Sequence, residues 1–270
     1  MRGLLFSLCL LAQTDFDAGV QHFQRGDFAQ ARVPLERAVK ARPQSFEARF
    51  LLGAVLVELK ATAAAIDTLR SAISLRPGHL DARKLLAAQL IAAKRFKEAA
   101  ALLQPGDEET HLLLIEARQG AGDSKSALAL AIAAARKFPE SAQIAAWLGF
   151  QHQFAGRFEE ARTALRRALA IDPALPMALQ LMGEVHLKEE NFAEAVHWLR
   201  QAPLELESAL LLSRALMELG HLQDALAVMA DREADRRVHL QRSKLYFRMG
   251  DEAKARAEAG RAVAIPRDDP

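Results

Sequence analysis

The chain has little of what catalytic, metal-binding or disulfide-stapled domains are built from. Its 270 residues include one cysteine (Cys9), one tyrosine (Tyr246), one asparagine (Asn191) and two tryptophans. A lone cysteine excludes an intrachain disulfide and any multi-cysteine metal site. The eight histidines show no HExxH spacing; His186 and His197 lie eleven residues apart without it, so no metal site is expected. GxxxxGK[ST], GxGxxG and GxSxG elements are missing, which removes the usual phosphate cradles and the nucleophile elbow; no cofactor and no enzyme activity are expected. The carboxylate pairs Glu159-Glu160 and Glu189-Glu190 are adjacent, and neighbours on a helix point apart, so they do not form an acid/base couple. Their place at helix starts suits the positive end of the helix dipole. No stretch alternates β-branched and polar residues as a strand does. Nor does any apolar run approach the roughly 20 residues needed to cross a bilayer.

Net charge is +2, so no strong overall field points to nucleic acid. The arginine pairs Arg166-Arg167 and Arg236-Arg237 have no aromatic platform beside them, and nucleic-acid binding is not expected. Charge is unevenly spread. Residues 13–104 carry 14 Lys and Arg against 9 Asp and Glu, and residues 105–205 carry 10 against 14. These runs read as solvated helix faces, or as a basic end that meets an acidic partner.

What the chain does have is alanine and leucine, within a hydrophobic fraction of 51%. Both favour helix. They recur in register. Gly19, Ala31, Ala38 and Pro43 are matched at the same spacings by Gly53, Ala65, Ala72 and Pro77, and by Gly149, Ala161, Ala168 and Pro173. A further copy has Ile115 in the glycine position, followed by Ala127, Ala134 and Pro139; Gly183, Ala195 and Ala202 begin another. The full period is 34 residues. It predicts pairs of antiparallel helices, all α, with small residues where the two backbones cross. The first alanine is expected to face the glycine, and the second to pack on the next pair. Proline ends the second helix because it cannot continue one. Gly26, Gly122, Gly156, Gly220 and Gly250 mark the turns within pairs by permitting the left-handed conformation that closes a helix.

The pattern resembles the tetratricopeptide repeat: a leucine–small pair, an aromatic position three residues later, then alanine, alanine and proline. The pair reads Ala18-Gly19, Leu52-Gly53, Leu86-Ala87, Leu148-Gly149 and Met182-Gly183. The following position holds His22, Leu56, Leu90, His152 and His186, with Tyr246 in the last repeat. Eight units are read near residues 12–45, 46–79, 80–107, 108–141, 142–175, 176–205, 206–235 and 236–265, the third, sixth and seventh being short in the second helix or linker. The resemblance implies a right-handed superhelical solenoid of helix pairs. It also implies a protein-interaction scaffold, with no catalytic role, whose first helices line a concave groove for a peptide or protein. Helical spacing assigns to that groove Phe16, Phe23, Phe50, Lys84, Phe150, Phe154, Gln180, Arg214, Lys244 and Phe247. The phenylalanines are read either as anchors for a partner or as fillers between adjacent first helices. Binding of acidic chaperone tails, which in this family needs groove asparagines, is not expected, because Asn191 lies at a turn.

The ends are read separately. Met1 to Ala12 places Arg2 before a short apolar run, as in a secretory signal peptide, which would put the protein in the periplasm or outside the cell; the other readings are an apolar cap and a cytoplasmic protein. The last helix, about 252–264, is expected to show Lys254, Arg256, Glu258 and Arg261 on its outer face, and residues 266–270 to be a disordered tail. A structural subunit of an envelope or secretion complex is the alternative function.

Overall fold

A computed structural model describes residues 14–232 and 235–266. The signal-peptide reading of residues 1–12 lies outside these residues, as does the tail reading except for Pro266. Among the described residues the chain is all helical. Sixteen helices follow one another, beginning with α1 at 14–24. First helices of the pairs are α3 (Phe46–Glu58), α5 (Leu80–Ala92), α7 (Glu108–Gly120), α9 (Ala142–Phe154), α11 (Pro176–Lys188), α13 (Leu206–Glu218) and α15 (Arg236–Arg248). Second helices are α2 (Phe28–Ala41), α4 (Thr62–Leu75), α6 (Phe96–Leu102), α8 (Ser124–Lys137), α10 (Phe158–Ile171), α12 (Phe192–Leu199), α14 (Leu222–Ala227) and α16 (Glu252–Ala264). The described residues form two compact units, one up to Leu130 and one from Ala131, divided within α8. In each, consecutive helices pack pairwise, α3 on α4 in the first and α9 on α10 in the second.

Most first helices start where the sequence supplies a cap. Ser45 and Ser141 accept hydrogen bonds from the Ala48 and Ile144 amides. Asp107 does so for Thr110, Asp235 for Arg237, and the Nδ1 of His79 for Ala82. Where Leu175 offers no cap, Pro176 stands in the first turn with no N–H to satisfy.

The recurrent small residues are buried, but the glycine makes room for a different side chain from the one the spacing suggests. A Cβ built on Gly19, Gly53, Gly149 or Gly183 would lie no more than 2.6 Å from Leu35, Leu69, Leu165 or Leu199 respectively, the leucine sixteen residues on. Those four leucines are fully buried. The first alanine is nearby as well: the Gly149 Cβ would be 3.4 Å from the Ala161 carbonyl. In the last two repeats serine stands in the glycine position and uses that carbonyl. Ser213 donates to the Ala225 oxygen at 3.0 Å, and Ser243 to the Ala255 oxygen at 2.8 Å.

All five turn glycines have positive φ, between 72° and 81°. Three repeats make the same turn without glycine, placing Lys60, Lys94 and Glu190 at φ 56°, 58° and 61°. Each of these costs roughly 1–2 kcal/mol of backbone strain that glycine would not. The tertiary pairing of helices imposes the turn whether or not the local sequence favours it.

The shortened repeats have short second helices of seven, eight and six residues (α6, α12, α14). Charged side chains fasten the chain that leaves two of them. Arg242, 7% exposed, donates to the Met229 and Ala230 carbonyls just past α14. Past α6, Lys84 holds Asp107 and Glu109. On α16, Lys254, Arg256 and Arg261 are exposed as expected, but Glu258 is buried: its carboxylate meets His239 Nδ1 at 2.6 Å and Arg261 at 2.8 Å. A buried histidine on the facing helix draws this acid inward.

Candidate functional site

In the first unit the candidate groove residues are engaged by their own unit. Phe16 and Phe23 are half-buried against the core around Leu35 and Leu52, and Phe23 meets Phe28 edge to face at 5.6 Å. Phe50 stacks on Phe46 at 5.6 Å and lies 5.2 Å from the His79 ring. These three fill gaps between helices. Lys84 corrects the sequence reading more sharply. It is 8% exposed, with its ammonium between the carboxylates of Asp107 and Glu109, so it offers no free charge to a partner. The hydrogen bonds to Asp107 and to Glu109, the latter at 2.8 Å, raise the lysine pKa. The Lys84 hydrogen bond, with the Thr110 amide, holds the Asp107 carboxyl down at about 2.

The second unit is different. Phe150 lines a cavity of about 340 Å³ together with Met177, Gln180, Glu184, Glu205 and Ser208, between α9, α11 and α13. Phe154, 61% exposed, stands one turn further along α9, its ring 6.3 Å from that of Phe150. A polar ladder crosses the first helices here. Gln153 Nε2 and Gln180 Nε2 donate to the two oxygens of Glu184 at 2.9 and 3.0 Å, and Ser208 Oγ donates to Gln180 Oε1 at 3.1 Å. Both donors to Glu184 are neutral amides, which leave its negative charge in place. Gln153 is 4% exposed, and its Oε1 has no hydrogen-bond partner in the protein. Such an unmet buried acceptor costs roughly 1–3 kcal/mol unless water or a ligand reaches it.

Arg214, Lys244 and Phe247 come together elsewhere, around a larger cavity of about 900 Å³ that includes the first half of α16. The structure therefore separates the ten candidates into three fates: spent within the first unit, gathered on α9 and α11, or gathered at α13, α15 and α16. Ser208 was not legible as a site residue. Its repeat position is mostly apolar, held by buried Ala48, Ala82, Ile144, Ala178 and Val238, but Thr110 places a second buried hydroxyl there. The Thr110 hydroxyl bonds only its own segment, at Gly106 and Asp107, so a hydroxyl at this position does not by itself mark a site.

The histidines of the aromatic position behave as packing groups with a cost. The Nδ1 atoms of His22, His152 and His186 are buried without a hydrogen-bond partner. Burial lowers the pKa of His152 and His186, because the charged ring would lose its water. Folded protein thus resists protonating them while the unfolded chain does so near pH 6.5. Stability is unaffected above that pH and falls as acid is added below it. Melting temperature should decline from about pH 6.5 to pH 5, and the double change His152→Leu, His186→Leu should flatten that decline. Leucine already fills this position as Leu56 and Leu90, both buried. A decline of equal slope in the variant would assign it to other groups.

The same succession of helix pairs is found in known proteins. The family model for anaphase-promoting complex, cyclosome, subunit 3 matches residues 24–106 and 155–232, more than half of the chain. The chain belongs to this tetratricopeptide-repeat family. Among solved structures, this repeat protein is similar to a chain of the APC/C hetero-tetramer Cut9-Hcn1, with TM-score 0.68 and 15% identity over 93% of its own length. It spans 52% of that chain. It is also similar to YrrB, a TPR protein with an unusual peptide-binding site, with TM-score 0.56 and 19% identity over 65% of this chain and 90% of that one. A tetratricopeptide repeat protein from Parabacteroides merdae aligns over 96% of this chain and 95% of its own, with TM-score 0.55 and 11% identity. No curated protein matches the chain. The tetratricopeptide-repeat fold suggests a protein–protein interaction scaffold. Among the described residues no cluster of three or more His, Cys, Asp or Glu could hold a metal, and no helix is long and apolar enough to cross a membrane.

Proposed function

We propose that the protein is a non-catalytic scaffold that binds a peptide segment of a partner protein on the first-helix face of its second unit. The observation that carries this is the Phe150–Phe154 pair beside a carboxylate held only by neutral amides. An exposed phenylalanine next to a half-buried one offers an apolar anchor, while Glu184 and Glu205 offer negative charge at the same cavity. The fitting ligand is a segment with an apolar side chain set near a lysine or arginine. The peptide-binding site of YrrB belongs to a protein of the same fold and lends this reading support.

Phe150→Ala with Phe154→Ala should lower affinity for such a partner at least tenfold while leaving helicity unchanged. The check is recovery of partners from native extracts by the wild-type protein and the variant, followed by calorimetry on the identified segment. A partner held equally well by both excludes this face. Crosslinks confined to the second helices would instead favour a structural subunit of a larger assembly. Export through residues 1–12 is part of the proposal, and N-terminal sequencing of the mature protein tests it: an intact Met1 contradicts it.

A further inference from the structure

The large cavity at α13, α15 and α16 sits at a definite place in the repeat. Shift each lining residue back by one repeat, thirty positions here. Ser243, Phe247, Glu252, Arg256 and Ala259 then fall on Ser213, Met217, Leu222, Leu226 and Met229. In the seventh repeat that second set is the seat of the following first helix. Met217, Leu222 and Leu226 share a core with Leu245 of α15, and Met229 shares one with Val238. Gln241 of α15 reaches Ser213 Oγ at 3.5 Å and the Met217 sulfur at 3.9 Å. The cavity occupies the corresponding position one repeat later, bordered by α13, α15 and α16.

The seat has been rewritten in a particular way. Leu222 and Leu226 are replaced by Glu252 and Arg256, which pair with each other at 2.7 Å. Met217 is replaced by Phe247, 69% exposed, while Ala255, only 7% exposed, keeps the small position of Ala225. The wall carries Arg214, Lys244, Arg248 and Arg256 against Glu218 and Glu252. Glu218 and Glu252 are matched by Arg248, at 3.0 Å, and by Arg256. Arg214 and Lys244 are left over. The result is an apolar strip along Phe247, Ala255 and Ala259 with two surplus cations beside it.

We propose that this face binds an acidic amphipathic helix of a partner protein, seated on α15 and α16 as α15 is seated on α13 and α14. The packing of α15 on α13 and α14 supplies the geometry of the proposed contact. The surplus charge selects one whose polar flank is acidic. This site is separate from the Phe150–Phe154 face, and neither proposal depends on the other.

The test uses the full chain and three labelled synthetic helical peptides. One carries Val238, Gln241 and Leu245, three of the buried residues of α15, with glutamate at its exposed positions; the second has lysine at those positions; the third is a scramble of the first. Fluorescence anisotropy should show the acidic peptide binding at least tenfold more tightly than the other two. Phe247→Glu, and separately Arg214→Glu with Lys244→Glu, should weaken it at least tenfold. Phe150→Ala with Phe154→Ala should leave it unchanged. Circular dichroism checks that helicity is preserved in each variant. Equal binding of acidic and basic peptides, or no binding of the acidic one at millimolar concentration, overturns the proposal. Concentration-dependent dimerisation that Phe247→Glu abolishes also overturns it, since the face would then be covered by a second copy.

Discussion

Gly149→Ala should destabilise the protein by roughly 1–3 kcal/mol, the range for forcing an extra methyl into a packed interior. The sign is informative, because alanine is intrinsically better in a helix than glycine by roughly 0.5–1 kcal/mol. On an exposed helix surface the same change would stabilise. Here the added Cβ would meet Leu165 Cγ at 2.6 Å and the Ala161 carbonyl at 3.4 Å, and the leucine is fully buried with nowhere to retreat. The clash outweighs the propensity. Leu165→Ala alone should cost about 2–5 kcal/mol by opening a cavity. Combined, the two changes should cost at least about 1 kcal/mol less than their sum, since the new methyl occupies space the leucine gave up. Urea unfolding followed by circular dichroism reads all three. Strict additivity would mean that the glycine is small for some reason other than Leu165.

The second large effect concerns Asp107, whose two oxygens do different work. Oδ1 accepts the Thr110 amide at 2.9 Å and caps α7, while Oδ2 takes the Lys84 ammonium. Asp107→Ala should cost about 2–3 kcal/mol: roughly 1 for the cap, and the remainder for a buried lysine left with Glu109 as its carboxylate. That remainder sits below the 3–5 kcal/mol typical of breaking a buried pair, because Asp107 is itself half exposed and solvent screens it. Asp107→Asn separates the parts. Asparagine caps as well as aspartate does, so this variant should lose only the charge contribution. Acid does the same to the native protein. The Asp107 carboxyl titrates at about 2 in the fold against 3.8 ordinarily. Its contribution is fully present above pH 3.8 and is lost as pH falls through 2. The stability difference between the native protein and the Asp107→Asn variant should therefore be flat from pH 7 to pH 4 and shrink below it. A difference that persists unchanged at pH 2 would show that the ion pair contributes nothing.

Lys84 also shows where reading the sequence stops. Helical spacing assigns it to the first-helix face. The repeat spacing shows that the third unit is short, but it does not carry that the chain leaving α6 brings Asp107 and Glu109 to Lys84 of α5. The same limit applies to the phenylalanines. Helical spacing assigns Phe50 and Phe154 to one face, yet Phe50 lies against Phe46 and His79 while Phe154 is exposed. What surrounds each ring depends on the neighbouring elements, and one helix's periodicity is silent about them.

The succession of helix pairs, the burial of Gly53, Ala65, Gly149 and Ala161, and the five turns that carry glycine were determined by the sequence itself. These follow from interactions within about one repeat: caps, small residues at a crossing, a proline that stops a helix, and hydrophobic spacing that recurs. Tertiary structure alone decided that leucine fills the space beside Gly19, Gly53, Gly149 and Gly183, that Glu258 turns inward to His239, and that Arg214, Lys244 and Phe247 border one cavity. Each of these depends on which side chains meet across helices. That is a matter of relative rotation and packing, and a pattern along the chain records the helix but not its partner's face.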